Sequence, residues 1–131
     1  PYIPFYLATR EFFELVRERL APGGLVVVNV GHPEGGRELE RVLGRTMAAA
    51  FPRVLRYPTE PTNTLLVAGE GAFSAARLRA NAGTLPAPLH PEAREAAARL
   101  APRLPGGEVY TDDRAPVEWL VDSSLLEYAN E

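Results

Sequence analysis

Apolar residues near the start of the chain recur with the spacing of an amphipathic helix. Within residues 7–24 ("LATREFFELVRERLAPGG"), four apolar side chains share one helical face: Phe12, Phe13, Val16 and Leu20. Thr9 is placed to cap the first turn, and Pro22, followed by two glycines, ends the helix. The pattern predicts a helix that packs one face against a core.

Residues 25–30 ("LVVVNV") replace this spacing with a continuous, mostly β-branched run. Such a run is typical of a strand that is covered on both faces in a parallel sheet. The loop "GHPEGG" follows at 31–36, and helical spacing returns in residues 37–51. One apolar stripe runs along this second helix: Leu39, Val42, Leu43, Met47 and Ala50.

Two strand-like segments come next, residues 53–57 and 62–70, separated by the turn-rich "PTEPT". So short a connection permits antiparallel pairing but no parallel crossover. The sequence therefore predicts an antiparallel hairpin here.

The rest of the chain predicts three more helices, at residues 72–80, from Pro91 to about residue 101, and at 116–128 ("PVEWLVDSSLLEY"). The final helix has one apolar face: Val117, Leu120, Val121, Ser124, Leu125 and Tyr128. A chain of 131 residues is long enough to bury its own core. We predict a single α/β domain over residues 1–131.

Composition excludes several functions. A net charge of −3 with scattered arginines gives no footprint for nucleic acid. The chain has neither cysteine nor lysine, which rules out thiol chemistry, Schiff bases and a P-loop lysine. Two distant histidines match no metal-ligand spacing, so we expect no metal site. No apolar run is long enough to cross a bilayer and no signal peptide opens the chain, so we expect a cytoplasmic protein.

Asn29 is the polar residue of the first predicted strand and stands one step from its carboxyl end, the edge at which open α/β sheets bind ligands. A buried amide needs a partner, and either a ligand crevice or a neighbouring loop would supply one. The glycines of the loop at 31–36 lack dinucleotide-binding spacing and indicate turns. His32 has two interpretations, an acid/base residue or an exposed loop residue without a chemical role, and the lack of a visible partner favours the second.

Several carboxylates are candidates for a role in ligand binding. Glu60 is held between two prolines, in a rigid loop that suits an amine or is only a solvated turn. The segment 109–122 carries four more acids: Asp112, Asp113, Glu118 and Asp122. Acids before and in the first turn of a helix meet free N–H groups and the helix dipole, which accounts for the first three as caps. A metal site lacks the usual loop spacing, whereas an amine-binding role stays open for Asp112 or Asp113.

Three segments, "FFELVRERLAPGGLVVVNV", "YPTEPTNTLLVAG" and "TDDRAPVEWL", occur in this order. Together they resemble the C-terminal half of the spermidine synthase-like (polyamine aminopropyltransferase) family, in particular its bacterial branch, which includes membrane-fused members. The resemblance covers nearly the whole chain. It implies the C-terminal portion of a Rossmann-like, class I methyltransferase-type fold, in which this chain supplies the fifth, sixth and antiparallel seventh strands with their helices.

The resemblance also implies a reaction, the transfer of an aminopropyl group from decarboxylated S-adenosylmethionine to an amine. The family's cofactor-binding glycine loop and catalytic Asp belong to the first half, and that Asp is expected upstream of Pro1. The chain alone is therefore expected to bind no cofactor and to be inactive. Asn29 stands where polyamine synthases have Gln, and Glu60 replaces a Tyr that contacts the amine. The predicted substrate-binding residues are Asn29, Glu60, Asp112 and Asp113.

Two alternatives remain at this stage. One is a small-molecule methyltransferase that uses intact S-adenosylmethionine on the same fold. The other is a catalytically inactive interaction module. In each case a strand at 25–30 without a neighbour leaves an apolar edge bare, so we expect a homodimer or pairing with another chain through that edge. The chain is accordingly expected to be a piece of a larger protein.

Overall fold

Helices and strands alternate along the chain. The computed structural model describes residues 4–129, apart from the side chains of Ser124, Glu127 and Tyr128. In chain order the elements are α1 (Arg10–Arg19), β1 (Leu25–Gly31), α2 (Glu38–Ala50), β2 (Arg53–Glu60), β3 (Asn63–Gly69), α3 (Ala75–Asn81), α4 (His90–Arg99), β4 (Ala101–Pro102) and α5 (Val117–Tyr128). The predicted α/β class is confirmed. None of the helices within residues 4–129 has both the length and the apolarity that crossing a membrane requires.

The strands form one four-stranded sheet in the order β1-β3-β2-β4, and all neighbouring pairs are antiparallel. The predicted hairpin of β2 and β3 is confirmed, because only Pro61 and Thr62 connect them. Since β1 and β2 are both antiparallel to β3, they run in the same direction. The connection through α2 therefore carries the chain from β1 past β3 to β2.

The expectation that the first strand is covered on both faces is wrong for the described residues. β1 lies at the edge of the sheet, where β3 is its paired neighbour, and its burial alternates along the strand. Val27 is 55% exposed and Leu25 46%. A short apolar run does not distinguish a strand buried on one face from one buried on two, because both fill the same positions with apolar side chains.

Helices α1, α2 and α5 contribute to the core on one face of the sheet. The predicted stripe of α2 is confirmed in full, since all five of its residues are buried. In α1, Phe13 is buried while its predicted neighbours on that face pack partly against the core. Thr9 caps this helix as predicted, accepting a 3.2 Å hydrogen bond from the backbone N–H of Phe12. Periodicity thus identified the inward faces.

The final helix follows its predicted face only in part. Val117 and Val121 are buried, whereas Leu125 is 47% exposed. The side chains of Ser124 and Tyr128, which belong to the same predicted face, lie outside the described residues. Helical spacing shows which residues share a face, but not how far along the helix the core extends.

The segment that leads to α5 crosses α2 at close range. Gly107 has a φ of +87°, and a Cβ at this position would collide with the backbone carbonyl of Arg41. Further along, the N–H of Tyr110 donates to Oγ1 of Thr46 at 3.0 Å. Glycine is required here because the backbone both turns to positive φ and approaches a helix backbone.

Candidate functional site

The carboxyl ends of β1 and β2 meet at one edge of the sheet. These two strands run in the same direction, and the antiparallel β3 begins at the same edge. Asn63, the first residue of β3, is paired with Gly31 on one side and with Glu60 on the other. The structure therefore brings two predicted site residues, Asn29 and Glu60, to one edge, with Asn63 between their strands.

Asn29 is exposed and not buried, because the face of β1 on which it lies is left uncovered. Its Oδ1 still accepts a 2.9 Å hydrogen bond from Nδ2 of Asn63. The same Nδ2 also donates to Oγ1 of Thr59 at 2.8 Å. The partner of Asn29 is thus a strand residue across the sheet, which the sequence does not reveal.

Glu60 ends β2 next to an irregularity in the pairing, which shifts register between Pro58 and Glu60. It is exposed, and within residues 4–129 its carboxylate makes no hydrogen bond or ion pair. The end of β2 is also held by α4, since Nη1 of Arg99 donates to the carbonyl of Thr59 at 2.8 Å. Glu60 therefore offers a solvent-facing negative charge on a braced strand end.

Asp112 and Asp113 do not cap the last helix, contrary to the prediction. They occupy the two central positions of a turn closed by backbone hydrogen bonds of 3.1 and 2.9 Å between Thr111 and Arg114. Aspartate is favoured in such turns. The helix begins later, at Val117, so only Glu118 falls in its first turn as predicted.

The Asp112–Asp113 turn is attached to α1 and not to the strand edge. The N–H of Asp112 donates to Oε2 of Glu11 at 3.1 Å, and the N–H of Arg10 donates to the carbonyl of Tyr110 at 2.8 Å. Among the described residues, no hydrogen bond joins either aspartate to Asn29 or Glu60. The four predicted binding residues therefore form a pair at the strand edge and a separate pair beside α1.

A buried ionic cluster lies on the other face of this edge, and sequence reasoning missed it. The side chain of Glu40, in α2, has an exposed fraction of 0%, and that of Arg56, in β2, 16%. Arg56 binds both carboxylate oxygens, with Nε to Oε1 and Nη2 to Oε2, the latter at 3.2 Å. Thr64 donates to Oε2 at 3.4 Å. A buried carboxylate is tolerable only with such partners.

His32 belongs to this cluster and is buried, which overturns its interpretation as an exposed loop residue. Its backbone N–H donates to the carbonyl of Thr62 at 3.0 Å, which continues the pairing beyond β1. Its ring nitrogens lie 3.0 Å from the carbonyl of Pro33 and 3.2 Å from Oγ1 of Thr64. Arg37 contacts both ring nitrogens and lies 3.8 Å from Glu40.

The cluster has a weak signal in the sequence. Arg56 alternates with Val54 on the buried face of β2, and Thr64 alternates with Leu66 on that of β3. Glu40 adjoins an apolar residue of the inward stripe of α2. A polar residue at an inward position is a candidate for a buried pair, but its partner is remote in the sequence. Glu40 and His32 are fully buried in the cluster, while Arg37, 27% exposed, covers it on the side of the loop at 31–37.

An apolar groove of about 560 Å³ lies on the side of the sheet that also carries Asn29. Its larger lining side chains are Leu25, Tyr57, Val67, Phe73, Leu78 and Leu100, with Arg77 and Asn81 among the polar ones. No carboxylate is among its lining residues, so it offers a cationic amine no ion pair. Within residues 4–129, no group of three or more Asp, Glu or His side chains is placed to hold a metal ion.

Comparison with known proteins finds one informative similarity. No model of a known family matches the chain. Among curated proteins, the chain is similar to one from Bifidobacterium longum (strain NCC 2705) named "Probable polyamine aminopropyl transferase", with 42% identity over 50 residues. The match covers 37% of this chain and 11% of that protein. It supports a relation to the spermidine synthase-like proteins.

We expect Glu40→Gln to lower the free energy of unfolding by about 3–5 kcal/mol, because it leaves the guanidinium of Arg56 largely buried without its counter-charge. Urea denaturation measures the change. Glu38→Gln, at an exposed position of the same helix, is the matched control and should change stability by less than about 0.5 kcal/mol. Equal effects of the two substitutions would contradict a structural role for the cluster.

Glu11 should make the stability of the folded chain depend on pH. The hydrogen bond from its own backbone N–H lowers the pKa of Glu11 below 4.5, and the bonds from Arg10 and from the N–H of Asp112 lower it further, against the effect of burial. A depressed pKa contributes stability that is present above pH 4.5 and is lost as the pH falls through the folded-state value.

Unfolding free energies measured from pH 6 downward should therefore fall less steeply in Glu11→Gln than in the unchanged chain. The difference should develop below about pH 4.5. Glu14→Gln, in the same helix, is the control and should retain the original slope. Parallel curves for the original chain and Glu11→Gln would show that the turn is not held through this carboxylate.

Proposed function

We propose that this chain is the C-terminal portion of a spermidine synthase-like transferase, which moves an aminopropyl group from decarboxylated S-adenosylmethionine to an amine. The observation that carries the proposal is the 42% identity over 50 residues with a protein named as a polyamine aminopropyl transferase. The proposal places residues 1–131 in one domain, as part of a Rossmann-like, methyltransferase-type fold.

The topology supports this fold. The family resemblance implies a sheet whose last strand is antiparallel to its neighbours. β3 has that relation, since it lies between β1 and β2, which run in one direction, and is antiparallel to both. On this assignment β1, β2 and β3 correspond to the fifth, sixth and seventh strands, and further strands would pair with β1.

The strand edge supports an acceptor site. Glu60 carries a solvent-facing negative charge, and Asn29 presents an exposed amide at the same edge. An amine that is protonated at neutral pH would be attracted to such a carboxylate. We assign Glu60 and Asn29 to amine binding, with Asp112 and Asp113 as a second acidic surface beside α1.

The remaining parts of the reaction would come from outside these residues. The family's cofactor-binding glycine loop and catalytic Asp have no counterpart in the 131 residues. The complete protein would bind decarboxylated S-adenosylmethionine, and the isolated chain would bind no cofactor and have no transfer activity.

The gene product that carries this chain should bind decarboxylated S-adenosylmethionine more tightly than the intact form, as measured by calorimetry. Glu60→Gln should raise the KM for the amine acceptor about tenfold, the cost of one charged interaction. Glu34→Gln, at an exposed loop position, is the control. Equal or stronger binding of intact S-adenosylmethionine would indicate a methyltransferase, and binding of neither would indicate an inactive interaction module.

The open edge of β1 implies a partner. Charged residues and prolines commonly protect edge strands from pairing, and the seven residues of β1 include neither. We propose that the isolated chain dimerises by pairing two β1 edges. Sedimentation equilibrium should then show a mass near twice the 14.3 kDa of one chain. A monodisperse monomer would contradict the dimer.

A further inference from the structure

The amide of Asn63 lies between two partners at the strand edge. Its Nδ2 donates to Oγ1 of Thr59 at 2.8 Å and to Oδ1 of Asn29 at 2.9 Å. Thr59 in turn donates its hydroxyl hydrogen to the backbone carbonyl of Asn63, at 3.1 Å. These three residues form a hydrogen-bonded relay that crosses β2, β3 and β1.

The direction of this relay follows from counting hydrogens. A threonine hydroxyl has one hydrogen to give, and Thr59 gives it to the carbonyl of Asn63. Oγ1 of Thr59 must then accept from the side chain of Asn63, so the group that faces it is the NH₂ and not the oxygen. The same NH₂ faces Asn29, and Asn29 must therefore turn its oxygen toward Asn63.

This orientation decides what Asn29 presents to a ligand. In a planar amide the oxygen and the nitrogen leave the carbon in different directions, so with Oδ1 turned to Asn63 the NH₂ group of Asn29 points away from that hydrogen bond. The side chain is exposed. Asn29 therefore presents two N–H donors at the open side of the edge. A protonated amine has only donors and can use just the remaining lone pair of Oδ1, whereas an oxygen acceptor can use both N–H groups.

Arg99, in α4, holds the Thr59 end of the relay. The guanidinium of Arg99 donates to the carbonyl of Thr59. It also forms a 3.0 Å ion pair with Glu95, and both of these side chains are partly exposed. The contact with the carbonyl braces Thr59, on which the relay depends. The N–H donors of Asn29 suit a negatively charged oxygen.

Resting on the proposed function, we infer that the amine acceptor bound at this edge carries a carboxylate. Glu60 binds the ammonium group, and Asn29 donates to the carboxylate. The substrate class is therefore an amino acid-type amine and not a plain diamine. Thr59 and Asn63 act as positioning residues that set the orientation of Asn29 without touching the ligand.

The test compares two probes that differ only by a carboxylate, ornithine and 1,4-diaminobutane. In NMR titrations of the ¹⁵N-labelled chain, ornithine should bind about tenfold more tightly, the value of one hydrogen bond to a charged group. It should also shift the side-chain amide resonances of Asn29. In the free chain, the side-chain amide hydrogens of Asn63 should exchange more slowly than those of Asn29.

Variants separate recognition from folding. Asn29→Leu should remove the preference for ornithine, because it should weaken the binding of ornithine more than that of 1,4-diaminobutane. Thr59→Val, nearly equal in shape, should reduce the preference by releasing Asn63, although Thr59 lies outside the contact with the ligand. Asn81→Leu, at an exposed site at the end of α3, is the control and should preserve the preference.

Equal or tighter binding of 1,4-diaminobutane at this edge would overturn the inference and leave amine binding intact. A preference for ornithine that persists in Asn29→Leu would also overturn it, because another group would then hold the carboxylate. If neither probe binds at this edge, both the inference and the acceptor role assigned to it fail.

Discussion

The buried carboxylate of Glu40 is the constraint on which the arrangement of this domain depends. A negative charge with no exposed surface is stable only when other groups replace the water it has lost. Here those groups come from separate parts of the chain: Arg56 in β2, Thr64 in β3, and Arg37 before α2. Helix, sheet and loop must therefore adopt one relative position, and His32 is enclosed with them.

The same strands serve two purposes because successive residues of a strand point to opposite faces. Thr64 reaches into the Glu40 cluster, while its neighbour Asn63 turns to the other face and holds Asn29. On β2, Arg56 lies in the cluster, and Thr59, next to the register shift, joins the amide relay. A rigid ionic cluster on one face thus supports an exposed polar edge on the other.

The sequence indicated two residues of the candidate site, Asn29 and Glu60, but not the contacts that surround them. Asn29 was expected near the carboxyl end of its strand and Glu60 in the hairpin connection, but local patterns did not show that these two points lie at one edge. Asn63, Thr59 and Arg99 were not identified, because a hydrogen bond between residues far apart in sequence leaves no periodic trace. Asp112 and Asp113 illustrate the opposite error: acids before a helix suggest caps, yet here they form a turn that Glu11 holds.

The sequence by itself determined the local features of this protein: the inward faces of α1 and α2, the cap at Thr9 and the hairpin of β2 and β3. Each depends on neighbours within a few residues, so spacing and turn chemistry suffice to predict it. Only the tertiary structure decided that β1 is bare on one face, that His32 and Glu40 are buried together, and that Asn29 accepts a hydrogen bond from Asn63. These features depend on which distant segments meet, because burial and hydrogen-bond direction are set by partners that the local sequence does not specify.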